Sequence, residues 1–76
     1  MTGEITVRAL ATLAGFAPPG GRLAIGPGET VGRVAARLGL DLAAVGTTLV
    51  NDRPAGPDTG LAPGDGLVFI PPITGG

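Results

Sequence analysis

The residues best suited to chemistry stand at the end of the chain, where Ile73 and Thr74 lead into Gly75 and Gly76. The two glycines carry no Cβ, so this tail is thin and takes backbone angles that other residues avoid. A thin tail fits a narrow cleft in another protein and presents the Gly76 carboxylate there. A carboxylate is a poor electrophile, but activation, for example as an acyl adenylate, opens it to a sulfur or nitrogen nucleophile. The pattern predicts a carrier or a modifier.

Two prolines precede this tail and are expected to act as a stiff stem. Pro71 and Pro72 each fix φ near about −65° and have no N–H for a sheet ladder. We therefore predict that they end the preceding strand, and that a domain of residues 1–72 is followed by a flexible tail of residues 73–76. The plain alternative is a frayed terminus, because chain ends are commonly disordered.

The remaining sequence does not contain the residue types of the usual catalytic sets. Histidine, cysteine and serine are absent, which removes Ser–His and Cys–His nucleophile pairs, thiolate zinc sites and imidazole ligands. The aspartates occupy turn-like segments, where this residue is favoured for local hydrogen bonds. These residues are Asp41, Asp52, Asp58 and Asp65. We predict that the protein is not an enzyme and binds neither a metal nor a cofactor of its own.

Composition limits the classes of partner. The 76 residues make one small domain with a net charge of −1, no lysine and five scattered arginines. Binding to a phosphate backbone requires clustered basic residues, so no nucleic-acid partner is expected. The longest apolar run is too short to span a bilayer, and the first residues lack the basic region of a secretory signal. We therefore expect no membrane partner and a cytoplasmic location.

Apolar patterns indicate the elements that must position the tail. Alternating or short apolar runs predict strands at residues 4–10, 22–25, 47–50 and 67–70, with turns at 16–21, 51–54 and 61–66. The core is expected to be mainly Val, Leu, Ile and Ala, with Phe16 and Phe69 contributing.

One helix is predicted between the second and third strands. Thr30 has the position of an N-cap, and Gly39 of a C-terminal stop. Between them, apolar residues at helical spacing form one stripe. They are Val31, Val34, Ala35 and Leu38.

The element order strand, strand, helix, strand, strand predicts an α+β fold with a mixed four- to five-stranded sheet and one main helix on one face. The commonest small fold of this order is the β-grasp, or ubiquitin-like, fold. Its first and last strands lie parallel in the middle of the sheet, so we expect the tail to leave from the centre of the sheet.

The sequence of residues 64–76 is Gly-Asp-Gly-Leu-Val-Phe-Ile-Pro-Pro-Ile-Thr-Gly-Gly. It resembles the ending of the MoaD/ThiS family of ubiquitin-like sulfur carriers, which is typically Gly-Asp-x-hydrophobic-x-Phe-hydrophobic-Pro-Pro-hydrophobic-x-Gly-Gly. It is most similar to MoaD, the small subunit of molybdopterin synthase. Residues 49–51, Leu61 and residues 10–15 also fit the family pattern, whereas Leu10 and Gly66 depart from its usual residue types.

The resemblance implies a reaction sequence carried out by partners. An E1-like adenylating enzyme would use ATP to adenylate Gly76, and a sulfur donor protein would convert it into a thiocarboxylate. The tail would then enter the large subunit of molybdopterin synthase and give its sulfur to a pterin precursor of the molybdenum cofactor. In this reading Ile73, Thr74 and Gly75 carry the reacting group.

A docking surface is also predicted. Residues 69 and 70 alternate in direction along a strand, so one faces outward, and the resemblance selects Ile70. We expect Leu10, Pro54 and Ile70 to form an apolar patch on the outer sheet face, with Pro71 and Pro72 also contacting partners. The alternative is that Phe69 and Ile70 both belong to the core.

Three other functions remain open at the level of sequence. One is a ThiS-type carrier for thiamin or another sulfur pathway, although such tails usually lack the Pro71-Pro72 stem. Another is a protein modifier joined through Gly76 to lysines of its targets. The last is an interaction domain whose terminus is incidental.

Overall fold

A computed structural model of the chain describes residues 3–72, so the predicted roles of Ile73, Thr74, Gly75 and Gly76 lie outside the described residues. The strands are β1 (Gly3–Ala9), β2 (Arg22–Ile25), β3 (Thr47–Val50), β4 (Arg53–Pro54) and β5 (Gly66–Ile70), and the α-helix is α1 (Val31–Arg37). Short 3-10 helices cover Ala11–Phe16, Pro19–Gly21 and Leu42–Ala44.

The strands form one mixed sheet in the order β2-β1-β5-β3-β4. The central strands β1 and β5 run parallel, while the other neighbours are antiparallel. The prediction of a β-grasp sheet with its first and last strands side by side in the middle is confirmed. As a result, the C-terminal end of β5 lies at the centre of one end of the sheet.

Alternation along the two central strands builds the core. Ile5 and Val7 of β1 are buried, as are Leu67 and Phe69 of β5, and the parallel register places Val7 beside Leu67. Removing these side chains from water provides most of the driving force for a domain of this size. The inner face of the sheet is therefore fixed by the alternating pattern.

Helix α1 packs its predicted stripe on that inner face. Val31, Val34 and Ala35 are buried, and Leu38 is half-buried at the C-cap. The Thr30 hydroxyl accepts a hydrogen bond from the Arg33 N–H at 3.3 Å, as expected of an N-cap. The helix ends before Gly39, whose φ of +75° suits glycine.

A loop that was not predicted to touch the helix closes its N-terminal end. The Val31 N–H donates to the Thr59 carbonyl at 3.0 Å, and the Gly32 N–H donates to the Pro57 carbonyl at 2.9 Å. A Cβ on Gly32 would lie 3.1 Å from that same oxygen, so glycine permits the close approach. These bonds satisfy amides that a helix leaves without internal partners.

The prediction of one turn at residues 51–54 is wrong. Only Asn51 and Asp52 form the turn, and Arg53–Pro54 pairs with β3 as strand β4. Both turn residues have positive φ, +52° and +68°, as a two-residue hairpin of type I′ requires. Pro54 fits here because β4 is an edge strand, where its missing N–H breaks no ladder bond.

The expectation that Phe16 contributes to the core is also wrong. Phe16 is 40% exposed, whereas Phe69 is fully buried at 0%. After β1 the chain turns into a 3-10 helix instead of an open loop, and Leu13 is the buried residue of that helix. The aromatic side chain is thereby left on the surface.

The strand boundaries differ by one residue at three places, the first being the start of β1 at Gly3 instead of residue 4. Strand β1 ends at Ala9 instead of residue 10, and β5 begins at Gly66 instead of residue 67. Within residues 3–72, no helix has the length and apolar character needed to cross a membrane.

Candidate docking surface and tail stem

The C-terminal ends of β1 and β5 lie side by side, which brings Leu10 next to Ile70. The Leu10 N–H donates to the Phe69 carbonyl at 3.1 Å and continues the parallel ladder just beyond β1. Phe69 points into the core, so alternation places Ile70 on the outer face, where it is half-buried. The alternative that both residues belong to the core does not agree with this arrangement.

Strand register extends this apolar surface across the sheet. Val68 lies opposite Leu49 of β3, and Leu49 lies opposite Pro54 of β4. Paired residues share a face, so these three side chains form a row on the outer side. We call the whole surface the outer patch; it consists of Leu10, Leu49, Pro54, Val68 and Ile70.

The outer patch is accessible. Pro54 is exposed, and the other four members are half-buried. Arg8 of β1 is exposed and lies opposite Val68, so a cation borders the apolar row. The binding roles of Leu10, Pro54 and Ile70 stay predictions, but the fold does bring these three residues onto one face.

Sequence reasoning missed Leu49 and Val68 as members of this surface. The signal was present in the last strand, where residues 67–70 are all apolar although the core uses only alternate positions. An apolar residue on the solvent side of a central strand has no role in the core, and such residues become informative when they form a contiguous patch.

The stem begins where the outer patch ends. Pro71 is half-buried and Pro72 is exposed. The Gly46 N–H donates to the Ile70 carbonyl at 2.9 Å, one residue before β3 begins. The last two residues of β5 are therefore bonded on both sides of the strand: the Phe69 carbonyl accepts from Leu10, and the Ile70 carbonyl accepts from Gly46.

A hydrogen-bonded cluster fixes the other end of β5. The Asn51 side chain accepts from the Gly66 N–H at 2.9 Å and donates to Asp65 Oδ1 at 2.9 Å. Asp65 Oδ2 accepts from the Ala62 N–H at 2.8 Å. The Ala62 amide and then the Asn51 amide stabilise the charged form and lower the pKa of Asp65 below its ordinary value.

Outside this cluster, Arg37 joins α1 to the chain before it, through the Ala24 carbonyl at 3.0 Å and Glu29 Oε2 at 3.1 Å, whereas Asp41 serves local structure. Asp41 Oδ1 accepts from the Ala43 N–H at 2.9 Å, in line with the predicted turn role of aspartate. Among residues 3–72, no three acidic side chains gather in a way that could hold a metal ion. What the described surface offers is an apolar face with a chain exit beside it, which suits docking to a partner.

Comparison with known proteins agrees with this architecture. A sequence model of the ThiS family matches residues 2–76. The solution structure of the Haloferax volcanii HVO 2177 protein superposes with a TM-score of 0.74 at 24% identity, covering 99% of this chain and 88% of that one. The crystal structure of SAMP1 from Haloferax volcanii has a TM-score of 0.67 at 27% identity, covering 97% and 100%. No curated protein sequence matched.

Proposed function

This chain belongs to the ThiS family of small ubiquitin-like sulfur carriers, and on that premise we propose that it delivers sulfur through Gly76 for the synthesis of molybdopterin. Members of the family are generally non-catalytic and generally work with E1-like adenylating enzymes. The observation that carries the proposal is the exit of the chain at Pro71 and Pro72, from the central strand and beside the outer patch.

The chemistry requires partners for every step. The Gly76 carboxylate attacks the α-phosphorus of ATP on the adenylating enzyme, and pyrophosphate leaves. A sulfide sulfur supplied by a donor protein then attacks the acyl carbon, and AMP leaves with the electrons of the C–O bond. The resulting thiocarboxylate is the form that gives sulfur to the pterin precursor. This chain contributes the carboxylate and its presentation, and the proposed chemistry requires Gly76 to carry a free α-carboxylate.

Docking is assigned to the outer patch. Burying an apolar face of this kind gains free energy in proportion to the area removed from water, and it leaves the stem pointing along the partner surface. The adenylating enzyme and the large subunit of molybdopterin synthase both receive the same tail. We therefore propose that both bind through Ile70 and its neighbours in the outer patch.

The proline stem supports the molybdopterin pathway over the alternatives. Pro71 and Pro72 match the typical ending of MoaD, whereas ThiS-type carriers for thiamin usually lack such a pair. A carrier for thiamin or for another sulfur pathway keeps the same activation chemistry and differs only in the acceptor. The pathway is tested by measuring sulfur transfer from the thiocarboxylate form of this chain. Transfer to the pterin precursor by the large synthase subunit is compared with transfer in a thiazole-forming system.

The activation step is tested by intact mass. The chain ending at Gly76 is incubated with ATP, an E1-like enzyme and a sulfide source. We expect the mass gain of one sulfur-for-oxygen exchange, located in the C-terminal peptide by fragmentation. An unchanged mass with an enzyme that thiolates a known carrier in the same experiment would contradict the proposal.

The similarity to SAMP1 favours a second candidate, a ubiquitin-like modifier joined through Gly76 to lysines of target proteins. Such a modifier shares the acyl adenylate but transfers the acyl group to nitrogen. It would give covalent adducts of high mass that survive denaturation and reducing agents. A carrier would give the thiocarboxylate without these adducts.

A further inference from the structure

Gly46 is the residue on which the proline stem rests. A Cβ built on Gly46 would lie 2.5 Å from Pro72 Cα, 2.8 Å from Pro72 N and 3.0 Å from the Pro71 carbonyl carbon. The first two distances are shorter than any normal contact of a Cβ atom. All three neighbours are backbone atoms, so no side-chain rotation relieves the overlap.

The backbone conformation of Gly46 does not itself require glycine. Its φ lies outside the left-handed range, unlike those of Gly39 and Gly64, which are +75° and +91°. The φ of Gly46 is therefore one that alanine can adopt. The requirement for glycine comes from the close approach of the stem.

If position 46 carries a larger residue, we expect the stem to be displaced and the segment around position 46 to stay in place. Val45 packs against the core, and Thr47 begins β3 opposite Ile70. Gly46 is thus held between two anchored neighbours. Pro72 follows the end of β5 and is exposed, so fewer contacts resist its displacement.

We propose that Gly46 is a positioning residue that seats Pro71 and Pro72 and so sets the direction in which the tail leaves the sheet. The inference rests on the proposed function of the tail. Four residues follow Pro72 and reach at most about 14 Å when extended. Because the φ of each proline is fixed, a displacement of Pro72 moves the point from which residues 73–76 start. A misplacement of about 1 Å at a reacting centre costs about a hundredfold in rate.

The close contact between Gly46 and Pro72 is tested first in the free protein. In a labelled sample of residues 1–76, we expect a nuclear Overhauser effect between an Hα of Gly46 and the Hα of Pro72. If this cross-peak is absent while the Gly46 and Ile70 resonances are assigned and β3–β5 cross-peaks are present, the contact between Gly46 and Pro72 does not exist and the proposal is overturned. This outcome is independent of any activity.

The functional part uses two alanine variants that each add one methyl group. Gly46→Ala meets the stem, whereas Gly60→Ala is the matched control because nothing lies within 4 Å of a Cβ there and its φ is not left-handed. The readout is ATP–pyrophosphate exchange by the adenylating enzyme. We expect Gly46→Ala to lower kcat by about tenfold or more with little change in KM, since the outer patch is intact. Gly60→Ala should keep both constants.

Further variants separate the possible failures. If Gly46→Ala is folded and keeps its kcat, or if Gly60→Ala loses as much, the positioning role is overturned. If Gly46→Ala does not fold, the double variant Pro71→Gly/Pro72→Gly frees the stem without touching the core, and an unchanged kcat there overturns the proposal. If a chain without Gly76 is still adenylated, the proposed function is rejected. The contact between Gly46 and Pro72 is then decided by their cross-peak alone.

Discussion

Asn51 and Asp65 are joined by a hydrogen bond of 2.9 Å from Nδ2 to Oδ1, which ties the β3–β4 turn to the start of β5. The same asparagine accepts from the Gly66 N–H through Oδ1 and donates its own N–H to the Gly66 carbonyl at 2.8 Å. One turn residue therefore satisfies three polar groups. Through it, the strand that carries the stem is anchored at the end opposite to the exit.

This cluster predicts a specific dependence of stability on acid. The pKa of Asp65 is lowered from its ordinary value of 3.8, so the folded state binds this proton less readily than the unfolded state does. The contribution to stability is present above about pH 4 and is lost as the pH falls through the lower, folded-state pKa. Urea unfolding of Asp65→Asn should show a flatter decline in unfolding free energy below about pH 4 than the parent protein does.

Asp58→Asn removes the same charge at an exposed turn residue and serves as the matched control for Asp65. It should retain the parent's acid dependence. An identical acid profile for Asp65→Asn and the parent would show that the hydrogen bonds to this carboxylate do not favour its charged form.

The hairpin turn offers a stabilising substitution. Asp52 has a φ of +68°, which glycine adopts without strain. An Asn-Gly pair is the preferred sequence of a type I′ turn, so Asp52→Gly should raise the unfolding free energy by about 0.5–1 kcal/mol. Thermal and urea unfolding measure the change. Asp58→Gly, at a residue whose φ is not positive, should give no gain, and a gain of equal size there would remove the conformational explanation.

The helix stripe is tested at its most buried member. Val34 is 0% exposed, so Val34→Asp buries an unpaired charge and should cost several kcal/mol, about the whole stability of a small domain. Ala36→Asp places the same side chain on the exposed side of α1 and should cost about 1 kcal/mol or less. Equal melting temperatures for Val34→Asp and the parent, measured by circular dichroism, would reject the packing of α1.

The outer patch is tested by comparing adjacent residues of β5. Ile70→Ala should weaken binding to the adenylating enzyme or the large synthase subunit by about 1–2 kcal/mol, with the fold retained. Phe69→Ala should instead destabilise the domain by about 3–5 kcal/mol, because Phe69 is in the core. Calorimetric binding and thermal unfolding of both variants give the comparison. Parallel losses of binding and stability in Ile70→Ala would assign that residue to the core.

Much of the fold could be predicted because local patterns and the global packing agree. The spacing of Val31, Val34 and Ala35 indicates both the helix and its buried side. The alternation of Ile5 and Val7 does the same for β1. The order of elements then leaves few arrangements, and the β-grasp topology followed from it. The resemblance to the MoaD/ThiS family, stated on the ending of the chain, is confirmed at the level of the family.

The missed features depend on contacts between distant parts of the chain. Nothing near Gly46 in sequence indicates that Pro72 rests on it, and nothing near Gly32 indicates the loop carbonyl of Pro57. The membership of Leu49 in the outer patch follows from strand register, which a single strand does not reveal. Phe16 was assigned to the core from residue type alone, whereas the turn of the chain after β1 decides its exposure.

The central claim is that Gly76 is the reacting residue of a sulfur carrier, and deletion of Gly76 tests it most directly. Removal shortens the reach of the tail by about 3.5 Å and leaves the Gly75 carboxylate in the wrong place. We expect thiocarboxylate formation, followed by intact mass, to fall about a hundredfold or more. The melting temperature should stay unchanged, because the core lies within the described residues 3–72. Near-normal adenylation and thiolation of the shortened, folded chain would contradict the account.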